Sequence, residues 1–205
     1  MLAFSVLAVA LTAATSTLAH PTVKLPRAAP GPWCNGLGAG AFDEAFNFTI
    51  GAYNATGTNT NSTGAPIVVN SAGAIDGASF WHLGTWAQYP YGLEYPSISL
   101  INGTLVIDGE GATPAQATSV DAGNSLEWVA RNSAEPKAGA QIYCAVADTD
   151  PNGGGTGHPF LAVNGDTDSF SLCQTTFENV VYYKAAPDRG YDYDSCYPVK
   201  LQLIY

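Results

Sequence analysis

Short runs in which apolar and polar residues alternate are the feature that most constrains the fold of this chain. Residues 98–100 and 105–107 alternate in this way on either side of Asn102-Gly103. An Asn-Gly pair between two such runs is a strong signal of a β-hairpin, because both residues tolerate the positive φ angles of a tight turn. Similar short runs predict further strands at residues 46–50, 66–69, 126–129, 141–146, 160–163, 170–173, 180–183 and 199–204.

Clusters of Gly, Pro, Asn and Asp separate these runs, and no window shows a convincing helical spacing of apolar residues. Roughly ten short strands at turn-punctuated intervals predict an all-β fold. We expect a single-domain antiparallel β-sandwich, or a partly open barrel, over residues 33–205. In its first strand, Phe46, Phe48 and Ile50 are predicted to share the buried face. Residues 112–123 are rich in Ala but contain a proline, so their structure stays open.

The amino terminus has the layout of a signal peptide. Residues 2–11 form a short apolar run, and the small residues that end at Ala19 fit a cleavage site. We therefore expect residues 1–19 to be removed and the secreted chain to begin at His20. Residues 20–32 contain four prolines. They predict a flexible leader, because proline fits neither a helix interior nor a central strand.

Four cysteines follow the predicted signal peptide: Cys34, Cys144, Cys173 and Cys196. In an exported protein an even number of cysteines predicts disulfides, and four cysteines allow three pairings. We favour Cys34–Cys144, which ties the amino-terminal segment to the middle of the chain. We also favour Cys173–Cys196, which closes a local loop. Each disulfide is expected to stabilise the fold by about 3–5 kcal/mol on the loop-entropy estimate.

The chain is acidic, with 7 basic and 17 acidic residues and a net charge of -10. A strongly negative protein repels phosphate backbones, so nucleic acid is not expected as a partner. No stretch beyond the amino-terminal run is apolar for about 18 residues, so no membrane association is expected. No pattern indicates a cofactor. We expect the protein to be secreted into the extracellular space or the cell wall.

Four Asn-x-Ser/Thr sequons have a permitted middle residue: Asn47, Asn54, Asn61 and Asn102. The Thr-, Asn- and Gly-rich segment of residues 54–65 predicts an exposed loop, and Asn102 lies at the predicted hairpin tip. A secreted chain can carry N-glycans at such positions. We therefore expect at least two of the four sequons to be occupied.

An aromatic-rich segment offers a carbohydrate-binding alternative through Trp86, Tyr89, Tyr91 and Tyr95. Exposed aromatic rings would stack on sugar rings, as in a lectin-like module, whereas buried rings would belong to the core. We expect the nearby Trp81 to be a core residue and leave the tyrosines open.

A copper enzyme is a further alternative. As a new amino terminus, His20 could chelate copper through its amine and imidazole, which resembles the histidine brace of lytic polysaccharide monooxygenases. His82 or His158 would then supply the second imidazole. The proline that follows His20 and the loose leader argue against this, since a metal ligand needs a rigid support. We therefore predict no metal site and expect His82 to be a partnered strand or core histidine.

Glycoside hydrolysis would need two carboxylates about 5–10 Å apart in a cleft. No local motif marks such a pair, so no catalytic residue is predicted and a hydrolase stays an open alternative. The carboxylates from which a pair could be drawn are Asp43, Glu44, Glu94, Asp108, Glu110, Glu127 and Glu178.

A series of stretches carries a family resemblance: residues 102–107, 112–116, 120–121 and 160–163, then Cys173, residues 181–183, Cys196 and residues 199–203. The series is similar to fungal cell-wall proteins of the phialide-development type, the PhiA-like mannoproteins. The resemblance implies a small β-fold, association with the wall and no established catalytic residues. We expect a non-catalytic secreted structural glycoprotein whose partners are wall polysaccharide or other wall proteins.

Overall fold

The computed structural model describes residues 29–85, 94–109, 114–131, 138–148 and 155–205. The predicted signal peptide and most of the predicted leader lie outside these residues. The end of the leader is in contact with the domain, since the Gly31 backbone N–H donates to Asp43 Oδ2 at 2.8 Å. The described part of the chain contains no helix that is long and apolar enough to cross a membrane.

The described residues form strands and a single 3₁₀ turn over Pro32–Cys34, which confirms the all-β prediction. The strands are β1 (Ala41–Phe42), β2 (Ala45–Asn54), β3 (Ala65–Ile75), β4 (Ala78–Thr85), β5 (Ser97–Ile101), β6 (Thr104–Asp108), β7 (Ala115–Gln116), β8 (Asn124–Ser125), β9 (Glu127–Arg131), β10 (Tyr143–Val146), β11 (Phe160–Val163), β12 (Phe170–Gln174), β13 (Asn179–Tyr183) and β14 (Asp192–Ile204).

Six of these strands form a closed ring in which every neighbouring pair is antiparallel. The order around the ring is β2, β3, β4, β13, β12, β14 and back to β2. Closure removes the free edges that an open sheet would expose. The ring therefore corresponds to the barrel form of the predicted architecture.

Two smaller groups of strands extend the ring. β10 and β11 pair with each other, and they connect β1 on one side to β14 on the other. The first half of β2 leaves the ring and pairs with β5, which continues into β6 and β7. The largest fully buried side chains, among them Trp128, Tyr143, Phe170 and Leu83, form one apolar core.

The hairpin predicted at Asn102-Gly103 is confirmed. β5 and β6 pair residue by residue, from Ser97 opposite Asp108 to Ile101 opposite Thr104. Only Asn102 and Gly103 are left in the turn. Asn102 has a φ of 47° and Gly103 a φ of 74°. Two central residues with positive φ are typical of the turns whose twist matches that of paired strands.

Both predicted disulfides are present. Cys34–Cys144 joins the 3₁₀ turn to β10, with a Cα–Cα distance of 5.4 Å. Cys173–Cys196 joins β12 to β14, with a Cα–Cα distance of 4.1 Å. The second bond lies where the register between β12 and β14 shifts, so it fixes the two strands at a point where backbone pairing is interrupted.

The prediction that Phe46 shares the buried face of the first strand is wrong. Phe48 and Ile50 are buried, but Phe46 is 58% exposed and Ala45 is buried in its place. The pairing of β2 with β5 shifts between Ala45 and Phe48, and Asn47 in this interval has a φ of 54°. An extra residue of this kind moves the preceding side chains to the opposite face.

β4 is a strand that the alternating pattern did not predict, because its aromatic residues mask the period of two. Trp81 is 8% exposed, which confirms it as a core residue, and Leu83 is fully buried. The Ala-rich stretch left open in the sequence contains the short strand β7 and is not helical in its described part.

Candidate functional site

The ring is split at one place, between β4 and β13. These strands pair directly only at Gly84 and Val180. Beyond this point they diverge, and residues 124–131 lie between them: β8 pairs with β13, and β9 pairs with β4. We call this region the fork. It brings polar side chains from four separate parts of the sequence together.

A buried polar cluster lies at the fork. His82 Nε2 lies 2.7 Å from Glu178 Oε1, and Asn70 Nδ2 donates to Glu178 Oε2 at 2.6 Å. The exposed fraction of the side chain is 15% for His82 and 6% for Glu178, and Asn70 is fully buried. Both carboxylate oxygens of Glu178 therefore have a partner, as a buried charged group requires.

Gly84 makes room for this cluster. A Cβ atom at Gly84 would overlap Glu178 Oε2 and would lie 2.5 Å from Asn70 Nδ2. Only a residue without a side chain allows the carboxylate to approach the backbone of β4 this closely. The fork therefore depends on a glycine as well as on the three polar residues.

Glu127 extends the cluster toward the surface. It lies directly opposite His82 in the pairing of β4 with β9, where Cβ atoms are roughly 5 Å apart. Partial burial raises the pKa of the Glu127 carboxyl, and the nearby His82 lowers it in part. Glu127 thus lies between the buried cluster on one side and a surface cleft on the other.

The cleft has a volume of about 600 Å³ and a mainly polar lining. The rings of Tyr182 and Tyr191 contact each other in its wall, with centroids 3.9 Å apart and planes inclined by 36°. Burial raises the pKa of Tyr182 to about 12, with smaller contributions from Tyr191 and Glu178. The side chains that matter for its chemistry are Ser119, Asn124, Glu127, Tyr182, Arg189 and Tyr191.

The loop that carries Tyr191 is held in place by two hydrogen bonds. The Tyr191 hydroxyl accepts from the Ala186 backbone N–H at 2.8 Å. Arg189 Nη2 donates to the Ala122 carbonyl at 3.3 Å. These bonds fix the loop to itself and to the segment before β8. The wall of the cleft therefore has a defined shape without a ligand.

The aromatic residues predicted for carbohydrate binding do not form a described site. Trp86, Tyr89 and Tyr91 lie outside the described residues. Tyr95 is only 4% exposed, and its ring packs edge-on against Trp81 with centroids 4.8 Å apart. The proposed role of Tyr95 in stacking on a sugar is therefore wrong, because the ring belongs to the core.

The sequons lie at turns and strand irregularities. Asn47, Asn61 and Asn102 are exposed, and Asn54 is half-buried. Asn61 Oδ1 accepts from the backbone N–H groups of Thr63 and Gly64. In the same way, Asn54 Oδ1 accepts from the backbone N–H groups of Thr56 and Gly57. A glycan on any of the three exposed residues would extend into solvent.

The two histidines in the described part of the chain, His82 and His158, lie in separate surroundings. His20 lies outside the described residues, His82 is in the buried cluster, and His158 is half-buried in the segment before β11. Among the described residues no group of three or more His, Cys, Asp or Glu side chains is arranged to hold a metal ion. The prediction of His82 as a partnered strand histidine is confirmed by its contact with Glu178.

From the sequence, Glu127 and Glu178 are two of seven carboxylates with no motif to single them out, and no pattern predicts the cleft. The sequence indicates Tyr182 only as part of a strand. One signal was available: His82, Glu127 and Tyr182 are polar or half-polar residues within otherwise apolar strands. Such residues need a partner when the strand is buried.

Comparisons with protein-family models, with curated proteins and with solved structures find no match to this chain. The resemblance to fungal wall mannoproteins therefore stays a prediction.

Proposed function

We propose that this protein is a secreted, non-catalytic glycoprotein that acts in the extracellular space or the cell wall. The pair of disulfides carries this proposal. Such bonds persist in oxidising compartments outside the cytosol, and here they fix both the amino-terminal turn and the irregular start of β14. The sequons at exposed turns and the predicted signal peptide support the same location.

The state of the buried cluster favours a structural role over catalysis. Each oxygen of Glu178 is already bonded to a neighbouring side chain, and the cluster is largely shielded from solvent. A general acid or base must reach the proton that it transfers. The resemblance to PhiA-like mannoproteins points in the same direction, since it implies wall association without catalytic residues.

Expression of the full chain in a secreting fungal host tests this proposal. We expect the protein in the medium or the wall fraction, with a new amino terminus, two intact disulfides and mass that decreases on enzymatic removal of N-glycans. A protein retained in the cytosol with four free thiols would contradict the proposal. The sequenced amino terminus also decides whether His20 is available for copper.

Binding to a wall polysaccharide is a second candidate function, and the cleft beside the fork is the observation that favours it. A polar depression with a pair of tyrosine rings in its wall is suited to sugars, which present hydroxyls on their edges and C–H groups on their faces. Co-sedimentation of the secreted protein with insoluble chitin, β-glucan or mannan tests this function. A protein that stays in the supernatant with all three would contradict it.

A further inference from the structure

We propose that the cleft beside the fork is a binding site for a neutral oligosaccharide, with the ring of Tyr191 as its stacking surface. This inference rests on the second candidate function above and adds the site and the ligand class.

The size and lining of the cleft fit a sugar better than an apolar ligand. Its volume of about 600 Å³ lies within the range of roughly 300–1,000 Å³ that is usual for small-molecule sites. Such sites are mostly apolar, whereas this cleft presents hydroxyl, amide and carboxylate groups around two tyrosine rings. A ligand must therefore satisfy many hydrogen-bonding groups and offer a flat apolar face to an aromatic ring.

The charge balance disfavours polyanionic ligands. The cleft is lined by the carboxylates of Glu127 and Asp188 and by the guanidinium of Arg189. The chain as a whole carries a net charge of -10, which repels polyanions at longer range. A neutral chain meets no such repulsion, and its hydroxyls can donate to the carboxylates and accept from the guanidinium.

The cleft is formed before a ligand arrives. Tyr191 is held by its ring contact with Tyr182 and by the hydrogen bond from the Ala186 N–H. Arg189 is held by the Ala122 carbonyl. Glu127 lies on a strand that is paired with β4 across from His82. A site with fixed side chains loses little conformational entropy on binding, which favours affinity.

A second depression continues from the first. It has a volume of about 390 Å³, and it shares Arg189, Gly190 and Tyr191 with the cleft while extending to Gln174 and Thr175. The loop that carries Tyr191 therefore borders both depressions. A chain of several sugar units could contact both, so we expect a hexasaccharide to bind more tightly than its monosaccharide.

Isothermal titration calorimetry on the secreted protein tests the site. The probes are chitohexaose, laminarihexaose, cellohexaose and mannohexaose, with hexagalacturonate as a charged comparison. We expect the wild-type protein to bind at least one neutral hexasaccharide. Tyr191→Ala should weaken that binding roughly tenfold by removing the stacking surface. Ser119→Trp should weaken it as strongly by filling the cleft from an exposed position.

Phe46→Ala is the matched control, because Phe46 is an exposed aromatic residue that does not line the cleft. This variant should bind as the wild-type protein does, and thermal unfolding of every variant confirms that each is folded. If Tyr191→Ala and Ser119→Trp bind as tightly as wild type, the cleft is not the site, although the binding function stands. If the wild-type protein binds no neutral hexasaccharide, the candidate function of polysaccharide binding and the proposed site both fail. Tighter binding of hexagalacturonate would overturn the ligand class.

Discussion

The ring of strands is closed at two seams that differ in kind. Where β2 meets β14, residues 49–54 pair with residues 199–204 without interruption. Where β4 meets β13, direct pairing is confined to Gly84 and Val180, and two short strands fill the gap beyond. The first seam is held by backbone hydrogen bonds in register, and the second also needs side chains to hold it.

The side chains at the two seams differ accordingly. Ile50, Leu201 and Leu203 are buried at the β2–β14 seam. At the fork the contacts include the hydrogen bonds of Glu178 with His82 and Asn70. Apolar packing is non-directional, whereas the hydrogen bonds of a polar cluster are directional and high in cost if one partner is lost. The β2–β14 seam is therefore held by continuous backbone pairing and apolar packing, whereas the fork depends on a polar cluster beside a surface cleft.

The largest effect is expected from Leu203→Ala at the β2–β14 seam. Leu203 is fully buried, so the change removes core contacts and leaves a cavity. We expect the free energy of unfolding to fall by about 3–4 kcal/mol, measured by denaturant titration. The control is Phe46→Ala, which should change stability by less than about 0.5 kcal/mol because the bulge exposes this ring. Equal losses for the two variants would contradict the observed burial.

A pair of glycine variants compares β2, next to the β2–β14 seam, with the fork. A Cβ at Gly51 would overlap the Thr63 backbone carbonyl, whereas a Cβ at Gly84 would overlap the Glu178 side chain. Backbone cannot move aside as a side chain can, so Gly51→Ala should lower the free energy of unfolding by about 3 kcal/mol. Gly84→Ala should lower it by about 1–2 kcal/mol. Denaturant titration measures both changes.

A double-mutant cycle sharpens this comparison. In the Glu178→Ala background the clash of Gly84→Ala is reduced, so the two changes should be strongly non-additive. Gly51→Ala should add its full cost to Glu178→Ala, since Gly51 lies at the other seam. Additivity of the Gly84 and Glu178 changes would show that the carboxylate does not occupy the space above Gly84.

Removal of the central carboxylate at the fork is expected to have an intermediate effect. Glu178→Ala leaves His82 and Asn70 without their shared partner in a buried region. We expect a loss of about 2 kcal/mol in the free energy of unfolding. Glu178→Gln keeps the shape and one acceptor, so it should lose less. If alanine and glutamine variants were equally stable, the hydrogen bonds would not contribute to stability.

The smallest effect is a change of stability at alkaline pH. Burial raises the pKa of Tyr182 to about 12, above the ordinary tyrosine value of about 10. The unfolded chain therefore releases this proton at lower pH than the folded protein does, and the free energy of unfolding falls as the pH rises from about 10 to 12. Tyr182→Phe should make this fall shallower, as measured by unfolding at a series of pH values. An unchanged slope would mean that Tyr182 is not buried against Tyr191.

Much of the fold follows from local pattern. The Asn102-Gly103 hairpin was predictable because its turn chemistry and its flanking alternation agree. The alternating pattern predicts the wrong face for Phe46. The bulge next to it arises where β2 changes its pairing partner from β5 to β14, which a single sequence does not show. The alternating pattern also fails at β4, where consecutive aromatic residues hide the alternation. The disulfide pairs were predictable only as a preference among three possibilities.

The candidate site was far less predictable. Glu178 meets His82 across 96 positions and Asn70 across 108, and no local motif encodes such a distance. The sequence leaves the exposure of Tyr95 open, and the structure shows that the core encloses its ring. Tyr191 lies in an Asp-rich loop that gives no sign of its contact with Tyr182. Long-range strand order determines these contacts, and a single sequence does not show that order.

Native-state hydrogen exchange of the backbone amides tests most directly the claim that the two seams differ in stability. We expect amides in the β2–β14 pairing to exchange only when the whole domain unfolds, with opening free energies equal to the global value. Amides of β8, β9 and the first half of β13 should exchange through local opening of the fork, at a clearly lower free energy. Equal protection at both seams, or weaker protection at the β2–β14 seam, would contradict the account.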